Sequence, residues 1–308
     1  MLHISMFLMQ VGLLVSLFAV NAKTQYGHII VPSRSSLNEP MDIQTKKIQL
    51  QNHQAYLATI TGSEPQSYFH VLVKDSECSL EKTSSLARKF QCEYAINGGP
   101  FHSYTKGGCV GLTVSNHTII QDLETSDDGS VGFGITDSNE WILGNLNSMI
   151  HHHGANHNRF NIQDFVTGLN GGWLVYNSTN VVSNRDGQDP APRTAIGIDR
   201  EGKRLVLMQV DGCEHCVWRS IRGRGLTLQE MAEAMKGFAD YAINLDGGGS
   251  STSVCDEKVI NHPTCLDYIM HQCERSVASA ICIRDDRMPL GNKSTKSILK
   301  EQDLSSKE

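Results

Sequence analysis

Asn244-Leu245-Asp246-Gly247-Gly248-Gly249-Ser250 sets one carboxylate beside three consecutive glycines and a hydroxyl. Glycine lets backbone approach a ligand closely, and successive N–H groups in such a turn can converge on an anion. The chemistry this pattern could support is a basic or nucleophilic Asp246 next to a bound anion. A solvent-facing turn capped by Asp246 uses the same residues, and the loop alone does not separate the two. No Lys-Ser/Thr pair follows the glycines, which argues against a nucleoside-triphosphate P-loop. Ser250 lies in no Gly-x-Ser-x-Gly elbow and has no assigned histidine, so serine-hydrolase chemistry is not supported.

Other residues point the same way only in combination. Tyr94-Ala95-Ile96-Asn97-Gly98-Gly99 echoes Tyr241-Ala242-Ile243-Asn244-Leu245-Asp246-Gly247-Gly248, each after a helical stretch. If both strands lay parallel in one sheet, their carboxyl ends would bring Asn97 and Asn244 to one edge. The segment Thr194 to Val210 reads as a hairpin turning near Glu201 and Gly202, with Arg193 and Asp211 sharing its open end. A planar guanidinium there suits a phosphate or carboxylate clamp, and a surface ion pair with Asp211 is the alternative. The histidines at 151, 152, 153 and 157 have no organising carboxylate or helical frame, and Cys213-Glu214-His215-Cys216 lacks a second pair. Neither makes a metal site by spacing, and no cofactor is implied.

The elements that must position these groups can be read from periodicity. Thr227-Leu228-Gln229-Glu230 forms a capping box, and apolar residues recur at Leu228, Met231, Ala232, Met235, Phe238 and Ala239, which predicts a helix from Thr227 to about Ala239. A weaker helix is expected around Thr83 to Phe90, and strands at 68–73 and 242–245. The expected fold is α+β: a single disulfide-linked domain with a mixed twisted β-sheet flanked by helices. Residues 1–22 read as a signal peptide, 23–75 as N-terminal strands leading into a catalytic domain at 76–286, and 287–308 as a polar flexible tail.

Nine cysteines behind such a leader imply disulfides in an oxidising compartment. Sequons at Asn116, Asn177 and Asn292 agree with N-glycosylation. The net charge of −6, with scattered basic residues, removes nucleic acid as a partner. No later run reaches the roughly 18 to 20 apolar residues of a membrane span, so none is expected in the mature chain. A homo-oligomer is compatible with the sequence.

Taken in order, Ala95 to Phe101, Gly108-Cys109-Val110-Gly111, Pro192 to Gly197, Val210-Asp211-Gly212, Leu228 to Glu233 and Ala242 to Ser251 resemble the phosphodiester glycosidase family, over about Ser76 to Asp285. The resemblance implies hydrolysis of GlcNAc-1-phospho-6-mannose diesters on high-mannose glycans of lysosomal glycoproteins, exposing mannose 6-phosphate. It places catalytic roles on Asn97, Arg193, Asp211 and Asp246. Substrate contacts fall to Gly98, Gly99, Thr194, Asn244, Gly247, Gly248, Gly249 and Ser250. It also implies the disulfides Cys78 with Cys109, Cys92 with Cys282 and Cys265 with Cys273, leaving Cys213, Cys216 and Cys255 as additions. Partners would be phosphorylated high-mannose glycans or other sugar-1-phosphodiesters, met in the secretory pathway, outside the cell or in the Golgi or lysosomal lumen. Pro100 departs from the aromatic or small residue expected after Asn-Gly-Gly. A phosphate monoester already leaves readily, its second pKa being roughly 6, so the demand shifts to holding phosphate and stabilising positive charge at the sugar carbon. Arg193 and the amides of Gly247 to Gly249 would hold the phosphate, with Asp246 or Asp211 as base or nucleophile. A phosphosugar-binding or host-interaction protein without turnover is the alternative from another class.

Overall fold

The computed structural model describes residues 27–33, 40–122, 130–146, 161–169, 172–183, 187, 189–213, 223–266, 272–287 and 300–301. The expected leader at 1–22, the histidines at 151–157, Cys216, Asn292 and most of the segment after Asp286 lie outside them.

Many apolar segments are short continuous runs buried on both faces, as strands packed on either side are, with successive side chains pointing to opposite faces. In the hairpin Arg193–Ile198 and Arg204–Val210, the side chains of Ile196, Ile198, Leu205 and Leu207 enter one core while Ala195, Val206, Met208 and Val210 enter another. Tyr94 and Ile96 face the first core and Ala95 a third. Among the described residues three large sheets and two two-stranded ones result. An eight-stranded sheet has the order Thr179–Asn180, Trp173–Tyr176, Tyr241–Asn244, Arg193–Ile198, Arg204–Val210, His53–Thr61, Asp42–Leu50 and Lys300–Glu301. A five-stranded sheet runs Lys258–Val259, Ser253–Cys255, Tyr94–Asn97, Ser279–Ile283 and Phe69–Val73. A six-stranded sheet runs Ile29–Pro32, Glu140–Gly144, Gly132–Thr136, Ile162–Thr167, Thr113–Ser115 and Thr118–Gln121. Among the described residues every strand pairing is antiparallel except the edge contact of Lys46 and Lys47 with Lys300 and Glu301; an isolated bridge between Thr264 and Cys273 is also parallel.

The expectation of an α+β fold with one mixed sheet flanked by helices is therefore corrected. Among the described residues strand makes up 47% and helix 10%, with two α-helices, so the architecture is predominantly antiparallel β in several sheets. Helix α1 (Thr83–Lys89) covers the back of the five-stranded sheet through Leu86 and Ala87. Helix α2 (Leu228–Lys236) covers the back of the eight-stranded sheet through Leu228, Met231, Ala232 and Met235. Its N-terminus carries the capping box: Glu230 N donates to Thr227 Oγ1 at 3.2 Å and Thr227 N to Glu230 Oε2 at 2.9 Å. The helices are lids on two outer faces, and the common core lies among the three sheets.

That core contains Ile96, Phe133, Trp141, Ile196, Ile243 and Ile281 from all three sheets. Phe69, Phe133 and Trp141 meet with centroids 5.3 to 5.7 Å apart, a geometry that adds edge attraction to their burial. The Trp141 indole N–H donates to Gly202 O at 2.9 Å, fastening the six-stranded sheet to the hairpin turn. Gly202 has φ 66°, and a Cβ there would press on Trp141 and Pro32 at 3.0 Å, so both conformation and space ask for glycine. The Cys78–Cys109, Cys92–Cys282 and Cys265–Cys273 disulfides are formed, and Cys213 is also disulfide-bonded.

Between two sheets lies a buried titrating pair. Asp164 Oδ1 accepts from Val71 N at 3.0 Å and Asn116 N at 3.1 Å, and Gln163 Nε2 reaches its other oxygen at 3.4 Å. His70 Nδ1 is 3.9 Å from Asp164 Oδ2, and its Nε2 is 3.4 Å from Asp286, with Arg284 also acting on it. Desolvation raises Asp164 to about 7 and lowers His70 to about 4. Asp164 thus contributes stability as an uncharged acid, fully at low pH, which is lost as pH rises through about 7; His70 contributes as a neutral ring, which is lost as pH falls towards about 4. Asp164→Asn keeps the acceptor for both amides and cannot ionise. Its thermal stability relative to wild type should improve by about 1.4 kcal/mol per pH unit between about pH 4 and about pH 7 and level off above. A difference between the two proteins that ignores pH over that range would refute the raised value.

Candidate active site

Asn97 and Asn244 do meet, but not as neighbours in one parallel sheet. Tyr94–Asn97 belongs to the five-stranded sheet and Tyr241–Asn244 to the eight-stranded one. Face-to-face packing through Ile96 and Ile243 brings their carboxyl ends together. Asn97 is the knot. Its Nδ2 donates to Asp246 O at 2.8 Å, while its Oδ1 accepts from Thr194 Oγ1 at 2.9 Å and Thr252 N at 3.1 Å. The side chain is fully buried. It cross-links both sheets and the triple-glycine loop, so it positions the site and does not face a ligand.

The first glycine pair serves the same end. Gly98 O accepts from Asp246 N at 3.1 Å, and Gly98 N and Gly99 N donate to Ser279 O and Ser279 Oγ at 2.9 and 3.2 Å. A Cβ on Gly98 would overlap Ser279, and one on Gly99 would overlap Thr167 O. Both glycines are needed for this close passage between strands. Asp246 is therefore held on each side: its N–H by Gly98 and its carbonyl by Asn97. Its carboxylate remains only half-buried and accepts from Gly247 N at 2.9 Å.

The triple glycine is less of an open anion cradle than its composition suggests. Gly247 N is bonded to Asp246, Gly248 N donates to Pro192 O at 2.9 Å, and Ser250 N and Ser251 N turn back to Gly247 O and Gly248 O at 3.2 and 3.1 Å. An anion at the amides of Gly247 and Gly248 would have to replace these bonds. Gly248 sits at φ 59°, the left-handed conformation that tightens the turn.

Arg193 and Asp211 flank the end of the hairpin as expected, and both are buried, at 6% and 2% exposure, which excludes a surface ion pair. Arg193 spends Nε on Leu226 O at 3.0 Å and Nη2 on Asp189 O at 2.8 Å. It runs beneath Gly247, its Cδ 4.0 Å from where a Cβ would stand. Asp211 Oδ1 accepts from Gln209 Nε2 at 3.3 Å, Asn261 Nδ2 at 3.1 Å and His262 N at 3.1 Å, and its Oδ2 lies 3.2 Å from the same amide. Such a carboxylate is a hub that shapes the 261–264 segment. Asn261 also bonds Ser253 N and Ser251 O at 2.8 and 3.0 Å. Gln209, Asn261, His262 and Thr252 were not among the expected site residues, because isolated polar residues outside a glycine motif carry no spacing signal.

Thr194 is fully buried and meets the site through Asn97, while Asn244 Nδ2 donates to Leu169 O at 3.4 Å. Asn244 Oδ1, Ser250 Oγ, Ser251 Oγ and Gln209 Oε1 are buried polar atoms with no hydrogen-bond partner. Buried polar groups are ordinarily paired, so orphans on the segments that carry Asp246 and Asp211 leave hydrogen-bonding capacity for a polar ligand. Among the described residues no group of three His, Cys, Asp or Glu side chains is arranged to hold a metal ion, and no helix is long and apolar enough to cross a membrane.

The family model for phosphodiester glycosidases matches residues 90–284. The chain is 30% identical over 249 residues to the N-acetylglucosamine-1-phosphodiester alpha-N-acetylglucosaminidase of Bos taurus, covering 73% of this chain and 44% of that protein. The Homo sapiens enzyme of the same name is 30% identical over 249 residues, with 73% and 45% covered. The chain thus spans under half the length of these curated relatives. A solved structure, the zebrafish N-acetylglucosamine-1-phosphodiester alpha-N-acetylglucosaminidase catalytic domain auto-inhibited by pro-peptide, superposes with TM-score 0.64 at 21% identity, covering 84% of this chain and 88% of that one. With the family model spanning well over half of its residues and these relatives over nearly three quarters, the chain belongs to the phosphodiester glycosidase family.

Proposed function

We propose that this chain is a hydrolase that removes α-linked N-acetylglucosamine from GlcNAc-1-phospho-6-mannose diesters on high-mannose glycans, exposing mannose 6-phosphate. The observation that carries the reading is the half-buried Asp246 carboxylate, on a backbone pinned by Asn97 and Gly98, with orphaned buried polar atoms on the segments that carry it and Asp211. Its relatives' names speak of the same bond. Asp246 supplies the basic or nucleophilic oxygen, and Asp211 organises the segment at 261–264 beside it. Water ends up on the sugar carbon, and the phosphate monoester departs with the electron pair of the broken C–O bond. Fixed dipoles around the site stabilise the positive charge that develops on the sugar ring, the kind of preorganised electrostatics that dominates many enzymatic rate enhancements.

The setting proposed is the secretory pathway, with a leader at 1–22, the catalytic region at 76–286 and the strands before it completing the sheets. The Cys78–Cys109, Cys92–Cys282 and Cys265–Cys273 disulfides, with that of Cys213, suit an oxidising lumen. Asn116 and Asn177 are exposed at hairpin turns between Thr113–Ser115 and Thr118–Gln121 and between Trp173–Tyr176 and Thr179–Asn180, where a glycan would meet no packed neighbour. The test is a panel of sugar-1-phosphodiesters incubated with the secreted chain, reading release of free sugar. GlcNAc-1-phospho-mannose should yield N-acetylglucosamine in preference to its glucose and galactose counterparts. Retention of substrate with no sugar released would make the chain a phosphosugar-binding protein of the same fold, and release of another sugar would reassign its specificity.

A further inference from the structure

Tyr104 is 70% exposed, against 38% to 41% for Ile30, Ile119 and Leu266, the other exposed large apolar side chains among the described residues. It stands at the tip of the hairpin Phe101–Ser103 and Gly107–Cys109, directly after the Asn97-Gly98-Gly99 passage. It is nonetheless held. Phe101 meets its ring edge-on at 5.5 Å between centroids, and the Arg275 guanidinium carbon lies 4.7 Å from its centroid. The hairpin itself is tied down by Cys78–Cys109.

Arg275 joins this aromatic to the catalytic loop. Its Nε and Nη2 donate to Cys265 O at 3.1 and 2.8 Å, and Cys265 is closed onto Cys273 by a disulfide. A Cβ on Gly249 would overlap the guanidinium. Glycine at this third position is what lets a planar cation lie against the turn three residues after Asp246. Arg193, the cation the motif suggests for phosphate, is only 6% exposed and lies in the floor; like Arg275 it donates Nε and Nη2 to backbone carbonyls, so what separates the two is exposure. The half-buried guanidinium bordering the loop from outside is that of Arg275. A guanidinium offers five donors in a rigid fork that matches phosphate oxygens, and an immobilised aromatic face suits the C–H face of a pyranose.

We propose that Arg275 and Tyr104 form an outer subsite for a sugar phosphate: Arg275 takes the phosphate oxygens and Tyr104 stacks on the sugar attached to them. This deepens the proposed function and rests on it, since the bound half would be the phosphorylated sugar that departs when the diester is cleaved. Tyr104 then reads the second sugar of the substrate, and Arg275 reads the charge that joins the two.

Titration calorimetry of the full secreted chain with mannose 6-phosphate, and separately with inorganic phosphate, tests the subsite without any turnover. Tyr104→Ala should weaken mannose 6-phosphate about tenfold and leave phosphate unchanged, a loss of the size expected for one stacking contact. Arg275→Gln should weaken both. Because Arg275 also anchors Cys265 O, its variant is read only if its melting temperature is retained; Tyr104→Ala, at an exposed tip, decides the matter otherwise. In kinetics, Tyr104→Ala should raise KM for GlcNAc-1-phospho-mannose about tenfold while leaving that for a methyl GlcNAc-1-phosphate diester unchanged. Unchanged affinity for mannose 6-phosphate in Tyr104→Ala, or an equal KM rise on both diesters, overturns the proposal. A wild-type chain that cleaves no diester yet loses mannose 6-phosphate affinity on Tyr104→Ala would overturn the hydrolase reading and retain the subsite.

Discussion

Asp246→Asn is expected to lower turnover of a GlcNAc-1-phosphodiester by on the order of a thousandfold or more, at unchanged melting temperature, as befits loss of a general base or nucleophile. The backbone bonds that hold this residue, from its N–H to Gly98 O and to its carbonyl from Asn97, do not involve the carboxylate. The amide oxygen can still accept from Gly247 N. Loss of rate without loss of fold is thus the signature of Asp246 as the reacting group. Asp211→Asn should behave differently. An amide oxygen can keep the three bonds at Oδ1, but the amide nitrogen then faces His262 N, donor against donor. A modest fall in both stability and rate is expected there. The assignment fails if Asp246→Asn turns over substrate at the wild-type rate, or if Asp211→Asn is the variant that abolishes turnover while leaving stability intact.

Asn97→Ala is expected to damage the whole assembly. It strands Asp246 O, Thr194 Oγ1 and Thr252 N in a fully buried place, each unsatisfied group costing about 1–3 kcal/mol. A loss of roughly 3–9 kcal/mol would lower the melting temperature by on the order of 10 °C or more. Activity should fall beyond what the unfolded fraction explains, because the loop bearing Asp246 loses its tether. Asn97→Asp separates the contributions: it retains the acceptor for Thr194 and Thr252 and sets an oxygen against Asp246 O in place of the donor. Calorimetric melting alongside specific activity distinguishes the two variants. Wild-type stability in Asn97→Ala would show that the knot is not structural.

The candidate site was more legible than the fold that carries it. Asn97, Asn244, Asp246 and Arg193 stand out because asparagine, aspartate and glycine cluster at strand ends, and their ordered motifs resemble one family. The capping box at Thr227 and Glu230 fixed the start of α2 because its two reciprocal bonds are local. Sheet arrangement is not local. Tyr94–Asn97 pairs with Ser279–Ile283 and Ser253–Cys255, while its look-alike Tyr241–Asn244 pairs with Arg193–Ile198 and Trp173–Tyr176. Two segments of the same sequence shape, each after a helix, suggested repeated parallel units, but antiparallel partners far along the chain claimed both. Roles within the site were also hidden. Composition marks Gly247 and Gly248 as an anion cradle and Arg193 as a clamp, whereas their hydrogen bonds turn largely inward.

The central place of Ser279–Ile283 bears on how such a chain reaches its native state. Phe69–Val73 has this strand as its neighbour in the sheet, Gly98 and Gly99 lean on Ser279, and Cys92 waits for Cys282 across 190 residues of sequence. A ribosome releases the early strands long before their partner exists, and contacts so distant in sequence form slowly. Their exposed apolar faces must be sheltered from aggregation until the late strand slots between them. The Asn97-Gly98-Gly99 passage, and with it the tether on Asp246, can assume its final shape only then, so the carboxylate proposed to react reaches its place as a last act of folding.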